Sequence, residues 1–268
     1  MSQKGLFILF GPPGGGKSTE AAATFPESIY LMSSPNILQF YENNYLTTPE
    51  AKARSLKMPK RVLCIDQFSI DGKVEKLPNG LPKPVAQKAT LETYLDQVVV
   101  RALQTKSENQ PPPWKNLIID ETGTFWSRVH MEIEPTVTTR SGAVDTRGGY
   151  GVLARWSRNR VDYLRQLLVC GMNVVFVGHD QEPDPTQERK GGPKMPSQGV
   201  MREMCADADA VLLRGFEDRE IGQPSARVWL AHGRQNWITK IRGLPDSMFT
   251  QIKDWSLHQL VTNAGFEP

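Results

Sequence analysis

The sequence predicts an α/β domain in which a mostly parallel central sheet is flanked by helices and ends in a β-rich extension. Three observations carry that expectation. Short, uniformly apolar runs alternate with stretches of helical periodicity. A glycine-rich pattern, GPPGGGKS, joins the first apolar run to the first helical stretch. After residue 209 the alternation gives way to strand-like runs alone. Runs of four or five apolar residues suit strands covered on both faces, and their alternation with helices suits parallel pairing.

Leu6-Phe7-Ile8-Leu9-Phe10 is the first strand, stopped by a Gly/Pro cluster. Ser18 to Phe25 is a helix, ended before Pro26. Strands follow at 28–32, 62–65, 117–119 and 174–177. Residues 90–104 place Leu91, Leu95, Val98, Val99, Ala102 and Leu103 on one helical face, and residues 151–169 do the same with Val152, Trp156, Val161, Leu164 and Leu168. Segments 67–88, 135–150 and 181–199 lack periodicity and are expected as loops; long loops in a compact domain are commonly functional. Strands are expected at 210–213, 226–230 and 237–239, with a terminal helix near 252–262.

A chain of 268 residues holds one large domain rather than two full enzymes. With 32 Lys and Arg against 29 Asp and Glu, the net charge of +3 excludes a globally basic nucleic-acid coat and an acidic tail. Cys64, Cys170 and Cys205 lack CxxC spacing, which argues against a disulfide framework or zinc ribbon and for a reducing compartment. No apolar run approaches the ~18 residues of a membrane span, and the N-terminus does not read as a signal peptide. The expectation is a soluble, cytoplasmic protein without a membrane partner.

Gly11-Pro12-Pro13-Gly14-Gly15-Gly16-Lys17-Ser18, followed by Thr19, matches the Walker A pattern GxxxxGK[ST] between a strand and a helix. Its glycines let successive backbone N–H groups wrap a phosphate at a helix N-terminus. Lys17 would neutralise the β- and γ-phosphates of ATP, and the Ser18 hydroxyl would ligate Mg²⁺. Asn116 to Glu121 is an apolar strand ending in two carboxylates, as in Walker B. Asp120 would hold the metal shell and Glu121 the attacking water, or the pair would simply cap a helix. Asp66, after the strand 61–65, is the rival catalytic carboxylate. His179, at the tip of the strand 174–177, is either a γ-phosphate sensor or a solvated turn histidine.

This order of features resembles a RecA-type ATPase of the additional-strand class, over roughly residues 5–243. The resemblance implies a single RecA-like domain at 1–250, with residues 251–268 as a C-terminal helix or tail. It also implies that the two loose loops bind single-stranded DNA, which makes Arg140, Arg147, Arg189, Lys190 and Lys194 candidate contacts. Lys240 and Arg242, two apart on a strand, resemble the Lys-x-Arg pair with which ring-forming relatives reach a neighbour's γ-phosphate; two solvated cations on a strand face are the alternative. Residues 192–200 and 207–212 resemble compact bacteriophage RecA-core ATPases of single-strand annealing recombination. The partners so implied are single-stranded DNA, further copies of the chain in a ring or filament and a single-strand-binding protein, in the host cytoplasm for a phage-encoded chain.

Charge placement adds to this. From Arg140 to Arg165 six arginines face Asp145 and Asp162, a local excess of four positive charges, so the remainder nets −1. A clustered basic patch is what phosphate binding needs, although helix arginines are also commonly salt-bridged. Tyr150 and Trp156 could stack on bases, Trp156 also fitting a core position. Other functions remain open: a non-enzymatic, nucleotide-gated adaptor or annealing module, a small-molecule kinase or a helicase-like motor. A kinase needs an arginine-rich lid, and residues 19–44 contain no arginine.

Overall fold

A computed structural model describes residues 3–187, 189–217, 226–231, 236–245 and 255–268. In chain order its elements are β1 (Leu6–Gly11), α1 (Lys17–Thr24), β2 (Ser28–Met32), α2 (Gln39–Asn43), α3 (Pro49–Ala53) and β3 (Arg61–Cys64). Then come β4 (Ser69–Ile70), β5 (Lys73–Val74), α4 (Gln87–Ser107), β6 (Asn116–Asp120), α5 (Thr122–Ile133), α6 (Thr146–Leu164) and α7 (Gln166–Val169). The chain continues through β7 (Asn173–Gln181), β8 (Gly192–Pro193), α8 (Gln198–Asp207), β9 (Ala210–Glu217), β10 (Ala226–Leu230), β11 (Lys240–Ile241) and α9 (Leu257–Asn263).

The main sheet runs β10-β9-β1-β7-β6-β2-β3. From β9 to β3 every pairing is parallel, while β10 and β11 are antiparallel to β9 and β8 to β7. The expected class is therefore the observed one, and β7 is the strand inserted between the two motif-bearing strands β1 and β6. Alternate residues of β1 serve opposite layers: Leu6, Ile8 and Phe10 face the cluster with α4, α5, α6 and α8, whereas Phe7 and Leu9 face the one with α1 and α9. Both faces are dry, which is why these strands read as unbroken apolar runs.

Three segments are more ordered than periodicity predicts. In 67–88, β4 and β5 form a hairpin whose Asp71-Gly72 turn has φ of 52° and 73° at its two central residues. The expected loop 135–150 ends early. Asp145 caps α6 by accepting from Gly148 N, so the helix begins at Thr146 despite its glycines. Those glycines allow contact, since a Cβ on Gly148 would stand 2.9 Å from Val137 Cγ1. In 181–199, β8 pairs with β7 and α8 starts at Gln198, behind a Ser197 cap. The strand expected at 237–239 lies slightly later, as β11.

The C-terminal segment is built into the domain. Ser256 and Gln259 form a reciprocal cap on α9, and Leu257, Leu260 and Val261 are fully buried. Phe266 meets the Phe7 ring edge-on at 5.1 Å. Residues 252–254 of the expected terminal helix lie outside the described residues. All three cysteines are buried and free. No helix among the described residues is long and apolar enough to cross a membrane.

Candidate nucleotide site

The C-terminal ends of β1, β6 and β7 open onto a cleft of about 620 Å³, lined among others by Gly14, Gly16, Lys17, Ser18, Thr19, Asp120, Glu121 and His179. A cleft outside the carboxyl ends of parallel strands is where an α/β sheet places its ligands. The glycines of the loop have different tasks. At Gly14 φ is +73° and a Cβ would point into open space, so the loop wall there is bare backbone. At Gly11 a Cβ would collide with the carbonyl oxygen of Arg214 on β9, so close packing of strand on strand requires glycine. Pro12 and Pro13 shape the turn, and the Pro12 carbonyl accepts from Gly15 N at 3.3 Å.

Lys17 is 6% exposed, and its ammonium donates to the carbonyls of Gly11 and Pro12, both at 2.8 Å. Burial lowers its pKa, against the opposing pull of Asp120, Asp180 and Glu121. Asp120 is 2% exposed and accepts from Tyr30 Oη at 2.5 Å, with the Ser18 hydroxyl beside it. Burial raises the carboxyl pKa above its ordinary value. One hydroxyl and one carboxylate in contact form the donor set Mg²⁺ takes from a protein when phosphates and water complete its octahedron. No group of three or more acidic, His or Cys side chains among the described residues suggests a different metal site.

Glu121 spans two strand tips. Its Oε1 accepts from the backbone N–H of His179 at 3.1 Å, its Oε2 accepts from Thr124 Oγ1, and its own N–H donates to Ser33 Oγ at 3.3 Å. His179 lines the same cleft, with a buried Nδ1 that has no partner among the described residues. The bare glycine wall, the Ser18–Asp120 pair and this orphaned imidazole nitrogen all fit a phosphate chain with its metal. Asp66 is absent from the lining; it caps its own turn, accepting from Phe68 N at 2.8 Å and Ser69 N at 2.7 Å.

The remaining candidates lie elsewhere. Lys240 and Arg242 sit by the start of β9, at the opposite end of the sheet from the chain's own phosphate loop. Lys240 Nζ donates to Ala206 O at 2.8 Å and Arg242 pairs with Asp209 at 2.9 Å. Arg140, Arg147, Lys190 and Lys194 are exposed, and Arg189 is half-buried. In the basic stretch Arg158, Arg160 and Arg165 are salt-bridged to Glu203, to Glu92 and Asp96, and to Asp207. Trp156 is core, edge-on to Trp126 and donating to Glu92, and Tyr150 stacks on His130 at 4.2 Å.

Sequence reasoning missed Tyr30, Ser33, Thr124 and Arg227, all of which touch or line the cleft. None lies in a motif; sheet order brings them in.

Strand order and site together define a RecA-like P-loop NTPase, with the extra strand between its two motif strands. Residues 4–243 match the family model described as an AAA domain, and the chain belongs to that family. No curated protein matches it. Among solved structures, it is similar to a KaiC-like protein from the hyperthermophilic archaeon Pyrococcus horikoshii. That match has 14% identity, 89% of this chain and 83% of the other covered, and a TM-score of 0.41.

Proposed function

We propose that the chain binds ATP with Mg²⁺ in this cleft, hydrolyses it, and uses the cycle on single-stranded DNA in recombination or annealing, as a homo-oligomer. The observation that carries this reading is the position of Glu121. A carboxylate held in the lining by His179 N and Thr124, on a backbone that Ser33 anchors through the Glu121 N–H, is oriented beside the Lys17–Ser18–Asp120 cluster before any ligand arrives. Pre-orientation of this kind is what a group that aligns and deprotonates water requires. Lys17 neutralises the β- and γ-phosphates, Ser18 and Asp120 hold the metal, Gly11 to Thr19 cradle the phosphates and His179 senses the γ-phosphate.

The same strand tip supports the link to DNA. The His179 carbonyl accepts from Lys194 N at 2.8 Å, and Asp180 pairs with Pro193. A shift of Glu121 on the terminal phosphate therefore reaches the segment bearing Arg189, Lys190 and Lys194 through two hydrogen bonds. Arg140, before α6, and Arg147, in its first turn, are further exposed cations that could meet phosphate. In an oligomer, Lys240 and Arg242 would exchange Ala206 and Asp209 for a neighbour's γ-phosphate.

Mg²⁺-dependent ATP hydrolysis, measured with and without single-stranded DNA, tests the reading. Lys17→Ala is the blank, and Glu121→Gln should bind ATP without turning it over. Stimulation by DNA that disappears in both variants is expected. Hydrolysis indifferent to DNA would remove the recombination role and point to a phosphate acceptor; binding without turnover in the native chain would make it a nucleotide-gated adaptor.

A further inference from the structure

Arg227, on the antiparallel strand β10, lies far in sequence from the Walker motifs yet lines the nucleotide cleft. Its Nη1 stands 3.4 Å from where a Cβ would project on Gly16. The side chain is exposed and forms no ion pair with the described residues. A guanidinium at the rim of a phosphate loop, unpaired with any carboxylate of the described residues, offers a planar fork to phosphate oxygens.

The strand beneath it is fixed. Trp229 stands opposite Arg214 across the β9–β10 pairing, and both reach Glu20 of α1: Trp229 Nε1 donates to Oε2 at 2.6 Å and the Arg214 guanidinium pairs with Oε1. Arg214 also lies over the Trp229 ring, 5.1 Å from its centroid, and donates through Nε to Gly15 O at 3.2 Å. This knot clamps β10 to the helix that opens with Lys17 and Ser18. Arg227 is two residues from Trp229, hence on the same face of the strand, so the clamp sets it over the loop.

The sheet fixes which part of a nucleotide it meets. Asp120 and Glu121 approach from β6, two strands to one side of β1, while β10 lies two strands to the other. The carboxylates mark the metal and terminal-phosphate end of the cleft, and Arg227 approaches from the far side of Gly16. We infer that Arg227 binds, within its own subunit, the phosphates nearer the nucleoside, those shared by ATP and ADP. It is a binding residue for either nucleotide and does not read the γ-phosphate. The inference rests on the cleft being a nucleotide site.

Calorimetric titration of ADP and of a non-hydrolysable ATP analogue, both with Mg²⁺, separates the two ideas. The proteins are the native chain, Lys17→Ala, Arg227→Ala and Arg227→Lys. Arg227→Ala should weaken both ligands by the same factor, about tenfold to a hundredfold for one charge-assisted contact, and Arg227→Lys should recover part of it. Because the side chain is exposed, melting curves should stay unchanged. A loss confined to the ATP analogue would reassign Arg227 to the γ-phosphate, and unaltered affinity for both would remove it from the site; either result overturns the inference. A native chain that binds neither ligand would instead overturn the nucleotide reading itself.

Discussion

Replacing Glu20 with alanine should be among the most destabilising single changes outside the apolar core. Its carboxylate is the only acid paired with Arg214 among the described residues, and the side chains of Arg214 and Glu20 are 9% and 24% exposed. Burial already lowers the Arg214 pKa, a sign that its charge is poorly solvated, with Glu20 as the compensating neighbour. Removing the partner strands a cation with one carbonyl, Gly15 O, and leaves Trp229 Nε1 without its acceptor. Breaking a buried pair this way costs about 3–5 kcal/mol. The partial exposure of Glu20 favours the lower end, so about 3 kcal/mol is expected, with Tm lower by roughly 6–12 °C. Urea unfolding of Glu20→Ala reads it directly. Adding Arg214→Met removes the stranded charge and should recover part of the loss. A cost under about 1 kcal/mol, or a double variant less stable than Glu20→Ala, would refute the claim that an uncompensated charge sets the penalty.

Other perturbations probe separate parts of the molecule. At Gly243 φ is +87° and a Cβ would strike the Ala264 carbonyl, so Gly243→Ala should cost more than about 1 kcal/mol in urea and loosen the C-terminal segment. Lys115 and then Lys60 hold the Glu27 carboxyl down at about 2. A depressed carboxylate stabilises the fold above its unfolded pKa and loses that contribution as pH falls from about 4.5 to about 2. The acid limb of a stability–pH curve should therefore flatten in Glu27→Gln, and more so at low salt than high, because the group is exposed. If Arg242 acts on a neighbour's active site, Arg242→Ala should keep ATP binding and lose turnover; equal turnover in single-turnover assays would sink that role.

Much of this architecture is legible because parallel strands buried on both faces must be apolar through their centres, as Leu6–Phe10, Leu117–Ile119 and Val174–Val177 are. The phosphate loop is legible because its backbone path needs glycines at fixed offsets from Lys17. What escaped was set by neighbours rather than by local pattern. The start of α6 is hidden by Gly148 and Gly149, which serve contact with Val137 and Glu134. Tyr30 reaches Asp120 only because β2 lies beside β6, and Arg227 reaches Gly16 only because β10 pairs with β9 and is tied to α1 through Glu20. Asp66 and Glu121 both follow apolar strands, and only the sheet order shows that one faces the cleft while the other ties up its own turn.

The contact between Gly11 and Arg214 divides the phosphate-loop motif between two owners. Lys17 and Ser18 answer to the proposed nucleotide, whereas the first glycine answers to the adjoining strand β9, whose backbone leaves no room for a methyl group. Lesions at the two ends of one eight-residue signature should thus carry different phenotypes. Under the proposed function, a change at Lys17 should leave a folded chain that no longer turns over ATP, whereas a change at Gly11 should lower the yield of folded protein, in part restored by growth in the cold. Anyone reading inactivating variants in this loop would need expression levels beside activities to tell a broken catalyst from a broken fold.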